Sequence, residues 1–156
     1  MTYLINSGRT VRVTVTPTIT AGAYSASDVV GGLLTFTLAD THGAAGVVRA
    51  VRIVDGDNEK AACKLYLFDS VPSTLADNAA FDFTDDAANL AKCAGRVSIA
   101  AADYVTVGAD AAAWKEDLAV EFDTPTGVLY GYLVCDATPS YGATSDLSIT
   151  LTAYLL

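Results

Sequence analysis

The side chains in this sequence best equipped for chemistry are carboxylates, and two groups of them stand out. Asp55-Gly56-Asp57-Asn58-Glu59 places oxygens at alternate positions, as the opening of a calcium loop does. The match stops there: the sixth position, where glycine makes the sharp bend, is Lys60, and the twelfth, where a bidentate glutamate belongs, is Tyr66. The segment reads as a hairpin turn, with a weak calcium site of another type as the alternative. Asp82, Asp85 and Asp86 form the second group, and a suitably spaced carboxylate pair would serve a glycosidase. Two of the three are accounted for by the start of a helix, so a solvated cap is the preferred reading.

Other reactive types lack partners. His42 sits in a glycine-flanked loop with no Ser-centred elbow beside it, which gives a catalytic triad no support. Cys63, Cys93 and Cys135 are widely spaced, without a CxxC pair, and read as small hydrophobes in a protein folded in a reducing cytoplasm; at most one pair is available to them. Gly31-Gly32 is followed by no Lys-Ser or Lys-Thr, so it signals backbone freedom or close packing, not a phosphate loop. Tyr24, Tyr104, Trp114, Tyr130, Tyr132, Tyr141 and Tyr154 have rings suited to a sugar face, but most are expected in the core or at a subunit contact. The expectation is a protein without catalytic residues, metal or cofactor.

Composition points the same way. A chain of 156 residues buries roughly 70% of its unfolded surface, enough for one core. Its hydrophobic content of 52% against 17% charged residues suggests a surface partly covered by neighbours. The net charge of −9, with nine Lys and Arg scattered along the chain, disfavours nucleic acid as a partner. MTYLINSGR lacks the pattern of a signal peptide, and no apolar run approaches the ~18 residues that span a bilayer, so no membrane partner is expected.

The elements that would position these residues are strands. Thr10 to Thr16 alternates Val11, Val13 and Val15 with Arg12, Thr14 and Thr16, and Pro17 marks it as an edge or a strand end. Ala21 to Val30 is a small-residue connector leading through Asp28, Val29 and Val30 into the strand Gly32 to Leu38. Val47 to Val54 carries Arg49 and Arg52 three apart, which requires a bulge or an exposed end. It should form a hairpin with Cys63 to Phe68, whose Leu65/Leu67 and Tyr66/Phe68 faces are both apolar. That strand is either central in two layers or meets another subunit.

Thr84 is the expected N-cap of one short helix, with Lys92 near its end and Gly95 as its stop. Arg96 to Ala100, Tyr104 to Val107, an alanine-rich loop around Trp114, then Leu118 to Phe122, Val128 to Cys135 and Leu147 to Leu155 complete the series. Eight or nine strands and one helix predict an all-β antiparallel sandwich of jelly-roll type, residues 1–156, with an extended N-terminal arm over about residues 1–30. Tyr66, Phe68 and the doubly apolar Val128 to Cys135 predict a homo-oligomer.

AYSASDVVGGLLTF at Ala23 to Phe36 and KLYLFDSVPSTLADNAAFDFTDDAANLAKCAG at Lys64 to Gly95 resemble small structural proteins encoded in the virion gene clusters of tailed bacteriophages. The pieces that recur are the "AY…DVVGGLLTF" entry, an "LYLFD…P" strand and "DNAAF…D" before a short helix, and together they cover about a third of the chain. The resemblance implies a capsid decoration, or cement, protein. Such a protein is folded in the host cytoplasm, binds the major capsid protein on the outer surface of the icosahedral head, often as a trimer, and stabilises the shell without chemistry. Tyr24, Asp28, Val29, Val30, Tyr66 and Phe68 are the residues expected at capsid or subunit contacts. The alternative is a head-fibre or tail-associated module that recognises a host-surface glycan.

Overall fold

Among the described residues, period-2 patterning resolves into ten strands and one short α-helix. The structure, a computed structural model, describes residues 8–39 and 42–156. Residues 1–7 of the expected arm, and Asp40 and Thr41 of the loop holding His42, lie outside the described residues. The strands are β1 (Arg9–Val15), β2 (Val29–Thr37), β3 (Ala44–Asp55), β4 (Cys63–Phe68), β5 (Cys93–Ile99), β6 (Tyr104–Val107), β7 (Asp110–Lys115), β8 (Val120–Thr124), β9 (Val128–Cys135) and β10 (Leu147–Leu155); the helix α1 is Asp86–Leu90.

Two antiparallel sheets result. One has six strands in the order β1-β10-β3-β7-β6, with β8 also paired to β3; the other runs β2-β9-β4-β5. The chain changes sheet from β1 to β2, β2 to β3 and β3 to β4, again from β5 to β6, and then from β8 to β9 and β9 to β10. This interleaving, with β10 beside β1 and β9 beside β2, is a jelly roll, and the β6–β7 hairpin extends its larger sheet.

Between the sheets lies a core that includes Leu34 and Phe36 of β2, Val51 and Ile53 of β3, Leu65 and Leu67 of β4, Leu129 and Leu133 of β9, and Ile149 and Leu151 of β10. Each is at most 2% exposed, and burying a side chain of this size contributes about 1.5–3 kcal/mol.

β3 contains the bulge that its arginines require. Thr152 of β10 faces Ala50 while Ala153 faces Val48, so Arg49 is the extra residue. The edge of β3 opposite β10 is shared end to end by two strands, Ala44–Val48 pairing with β8 and Val51–Asp55 with β7. Pro17 follows an edge strand that ends at Val15, as its missing N–H demands. Gly31 and Gly32 take φ values of 82° and 65° where the β2–β9 register shifts, and a Cβ on Gly31 would stand 2.3 Å from Pro17 Cβ. The pair therefore answers to both close packing and backbone freedom.

Three local expectations are corrected. β3 and β4 do not form a hairpin but belong to opposite sheets. The turn between them winds around the buried Asp55 carboxylate, which accepts the N–H groups of Asp57 (3.0 Å) and Lys60 (2.8 Å), and positive φ at Asn58 and Lys60 steers the chain across. The stretch around Trp114 is strand β7, not a loop, held in a hairpin with β6. Lastly, α1 is capped by Asp85, which accepts from Ala88 N at 3.0 Å, one residue beyond Thr84, and Gly95 lies inside β5.

Candidate functional site

The residues expected at outside contacts are placed mainly inside. Tyr24 is 3% exposed, and its hydroxyl donates to Asp77 Oδ1 at 2.8 Å while accepting from Thr20 N at 2.7 Å. Burial, with Asp77 beside it, raises the phenol above its ordinary pKa. Asp77 also accepts from Thr20 Oγ1 at 2.7 Å and from Gly31 N at 2.6 Å, so one carboxylate ties the connector to the entry of β2. Asp28 is half-buried and accepts from Ser25 N at 2.7 Å, closing a local turn. Val29, Val30 and Phe68 are interior, and Tyr66, like Asp28, is partly exposed. The connector is thus folded onto its own sandwich: Ser27 N reaches Cys135 O, and Tyr24 N reaches Pro139 O.

The second apolar face of β4 and β9 is closed by the same chain. Residues 69–92, the connection from β4 to β5, lie over it, bringing Leu75, Phe81 and Phe83 against Val29, Phe68, Tyr132 and Val134. Tyr132 sits amid this layer, its ring 5.9 Å from those of both Phe81 and Phe83 and 6.0 Å from Phe68. Its hydroxyl donates to Ser73 O (2.8 Å) and accepts from Leu75 N (2.9 Å). The connection also protects the outer edge of β2, where Val29 N donates to Ala79 O and Phe81 N to Ser27 O. The apolar surface from which a subunit contact was expected is therefore satisfied within one chain.

The outer face of the six-stranded sheet carries no such cover from the described residues. β1, β10, β3 and β7 lie side by side there and present Arg12, Thr152, Arg52 and Trp114, with Thr150 and Glu116 around a depression of about 200 Å³. A second depression, of about 390 Å³, shares Thr152 and is lined by Thr10, Val47, Arg49 and Tyr154. The bulge in β3 brings Arg49 and Arg52 onto this one face, though their spacing sends them to opposite faces of a regular strand. Trp114 is 47% exposed and Tyr154 41%. Arg52 donates to Thr150 Oγ1 at 3.1 Å, whereas its Nε is buried without a partner among the described residues; such a donor left unpaired costs about 1–3 kcal/mol or more.

That the three arginines form one site escaped sequence reasoning because Arg12 is distant in the chain from Arg49 and Arg52. Their signal was present in the polar face of β1 and the alternating threonines of β10, but the pairing that unites them is set by topology. Of the aromatics considered for a sugar groove, Tyr24, Tyr132 and Tyr141 are buried, and Trp114 and Tyr154 are the exposed ones.

The remaining candidates have structural employment. Asp57 Oδ2 accepts from Gly142 N at 2.8 Å and Glu59 Oε2 from Ser140 N at 2.9 Å, so the acidic turn braces the β9–β10 loop. Among the described residues no three His, Cys, Asp or Glu side chains converge as a metal site. Asp85 and Asp86 bond Ala88 N and Phe83 N at the start of α1, and His42 is exposed. Cys63 and Cys135 face each other across β4 and β9 as free thiols, and burial pushes each up to about 12. Both should react with a thiol reagent at pH 8 only at the rate of unfolding, and melts with and without reductant or chelator should coincide. A fall in the melting temperature with chelator alone would restore the Asp55–Glu59 turn as a calcium site.

No protein-family profile matches the chain, and no curated protein does. Among solved structures it is similar to the PRD1 vertex protein P5, at 15% identity over 96% of this chain and 97% of that one, with a TM-score of 0.37. A likeness that distant assigns no function.

Proposed function

We propose that this chain is a virion protein of a tailed phage, attached to the outside of the icosahedral head, where it stabilises the shell by contact alone. The observation that carries the reading is the asymmetry of the sandwich: one sheet is sealed by residues 69–92, while the other has a face rich in Arg, Trp and Thr that is open among the described residues. A protein that closes one side with its own chain and leaves a polar, aromatic plane on the other is built to be laid against something. Supporting this, the two stretches that carry the phage resemblance are packed on each other through Asp77 and the Val29–Ala79 bond, so they form one structural unit.

The partner in this reading is the major capsid protein. A shell repeats one site many times, so a modest contact per copy is multiplied, and an oligomer bridging several sites gains further through effective concentration. The homo-oligomer we propose is a trimer, following the resemblance, and its contact lies away from the aromatic layer around Phe68. Particles assembled without this chain should lose DNA at lower temperature and at low salt, and adding purified protein back should restore them. Equal resistance of complete and deficient particles, in heat and in low salt, would refute the stabilising role.

A further inference from the structure

We infer that the open face of the six-stranded sheet is a docking surface for an acidic protein surface, with a partner carboxylate seated against Arg12 and Arg52. This rests on the decoration reading and deepens it by naming the face used and the chemistry it meets.

The middle of the face, over β1, β10 and β3, is basic in a chain of net charge −9, whereas Glu116, Glu121 and Asp123 lie towards β7 and β8. Arg12, Arg49 and Arg52 make up three of the five arginines, and the ion pairs among the described residues, Lys64–Asp136 and Lys115–Asp103, involve none of them. An acidic partner repelled by the rest of the molecule is thereby oriented onto this side. Arg12 and Arg52 line one depression, and among the described residues neither has a carboxylate partner. A guanidinium is a forked donor matched to a carboxylate, and the Arg12 and Arg52 side chains that line the depression offer that fork to a docking surface.

The surroundings favour a protein over a sugar as the source of that carboxylate. Two shallow depressions adjoin through Thr152 and together span four strands, and Trp114, Tyr154 and the arginines are the residue types that dominate protein interface hot spots. The threonine hydroxyls a sugar would need are partly engaged, since Thr150 Oγ1 bonds both Arg52 and Thr14. Glu116 at the rim, with Glu121 opposite Val47 on β8, bounds the basic zone and restricts where an acidic group can sit.

Trp114 is the single tryptophan, so emission excited selectively in the tryptophan band, apart from the eight tyrosines, reports this face alone. Purified full-length protein is titrated with poly-L-glutamate, polygalacturonate and neutral dextran at low and high salt. Poly-L-glutamate should shift the emission and lose the effect in high salt. Arg12→Gln with Arg52→Gln should weaken binding at least tenfold, as should Arg49→Glu, an exposed bulge residue whose replacement leaves the core intact; Arg96→Gln on β5 of the other sheet should not. A response to polygalacturonate but not poly-L-glutamate overturns the proposal in favour of an acidic glycan. No response to either polymer overturns it outright. Sedimentation showing a wild-type oligomer that Arg49→Glu dissociates overturns it in favour of a second copy of this chain.

Shells lacking the protein separate this inference from the decoration reading. Wild type and Arg49→Glu binding shells equally would remove the docking face and leave decoration standing. Wild type responding to poly-L-glutamate yet ignoring shells would do the reverse.

Discussion

Tyr132→Ala should destabilise the isolated chain by about 3–5 kcal/mol, as expected for a large aromatic removed from a packed interior. Tyr132 is fully buried between β9 and the connection over it, and it both fills space among Phe68, Phe81 and Phe83 and holds the backbone of Ser73 and Leu75. Tyr132→Phe keeps the ring but leaves Leu75 N–H and Ser73 C=O unpaired, so a smaller loss of about 1–3 kcal/mol is expected. Since domains of this kind are stable by only about 5–15 kcal/mol, the alanine variant should be near the limit of folding. Denaturant midpoints at several protein concentrations supply the check. A loss that grew on dilution would mean that a second subunit, not residues 69–92, covers this face.

That layer also marks the boundary of what sequence alone discloses. Alternation located β4, β9 and β10 with their final boundaries, because each has at least one face wholly committed to the core. It showed equally well that Tyr66/Phe68 and Val128–Cys135 are apolar on a second face. Periodicity says that such a face is covered without saying by what. The cover is an irregular stretch whose aromatic residues, Phe81 and Phe83, sit outside any strand and so have no period to read.

The same limit explains the site. Arg12, Arg52 and Trp114 come together through the β1–β10–β3–β7 pairings, of which β1–β10 joins the two ends of the chain. Arg49 and Arg52 demanded a bulge, and one is present, but that both would then share a face with Arg12 depended on which strand lay opposite. Trp114 was hidden for another reason: alanines are poor strand formers, and β7 is a strand because β3 and β6 pair with it on either side.

Asp77→Ala should be the most damaging substitution outside the cores, at about 3 kcal/mol, because hydrogen bonds to a charged acceptor contribute more than neutral ones. Three donors converge on this half-buried carboxylate, from Thr20 Oγ1, the Tyr24 hydroxyl and Gly31 N, and its loss strands the last two away from water. Tyr24→Phe removes one of the three and should cost about 1 kcal/mol. In a double-mutant cycle the pair should couple, the combined loss falling short of the sum by about 0.5–3 kcal/mol. The connector is consequently part of the fold and not a detachable arm. Removing residues 1–30 would take away β1 and two of these donors, and Asp28→Lys with Tyr24→Ala would strike a turn and a buried phenol; either change should lower the melting temperature before it reports on any partner. An Asp77→Ala protein that melts with the wild type would show that the carboxylate does not hold the connector, and would return Ala21–Val30 to consideration as a contact surface.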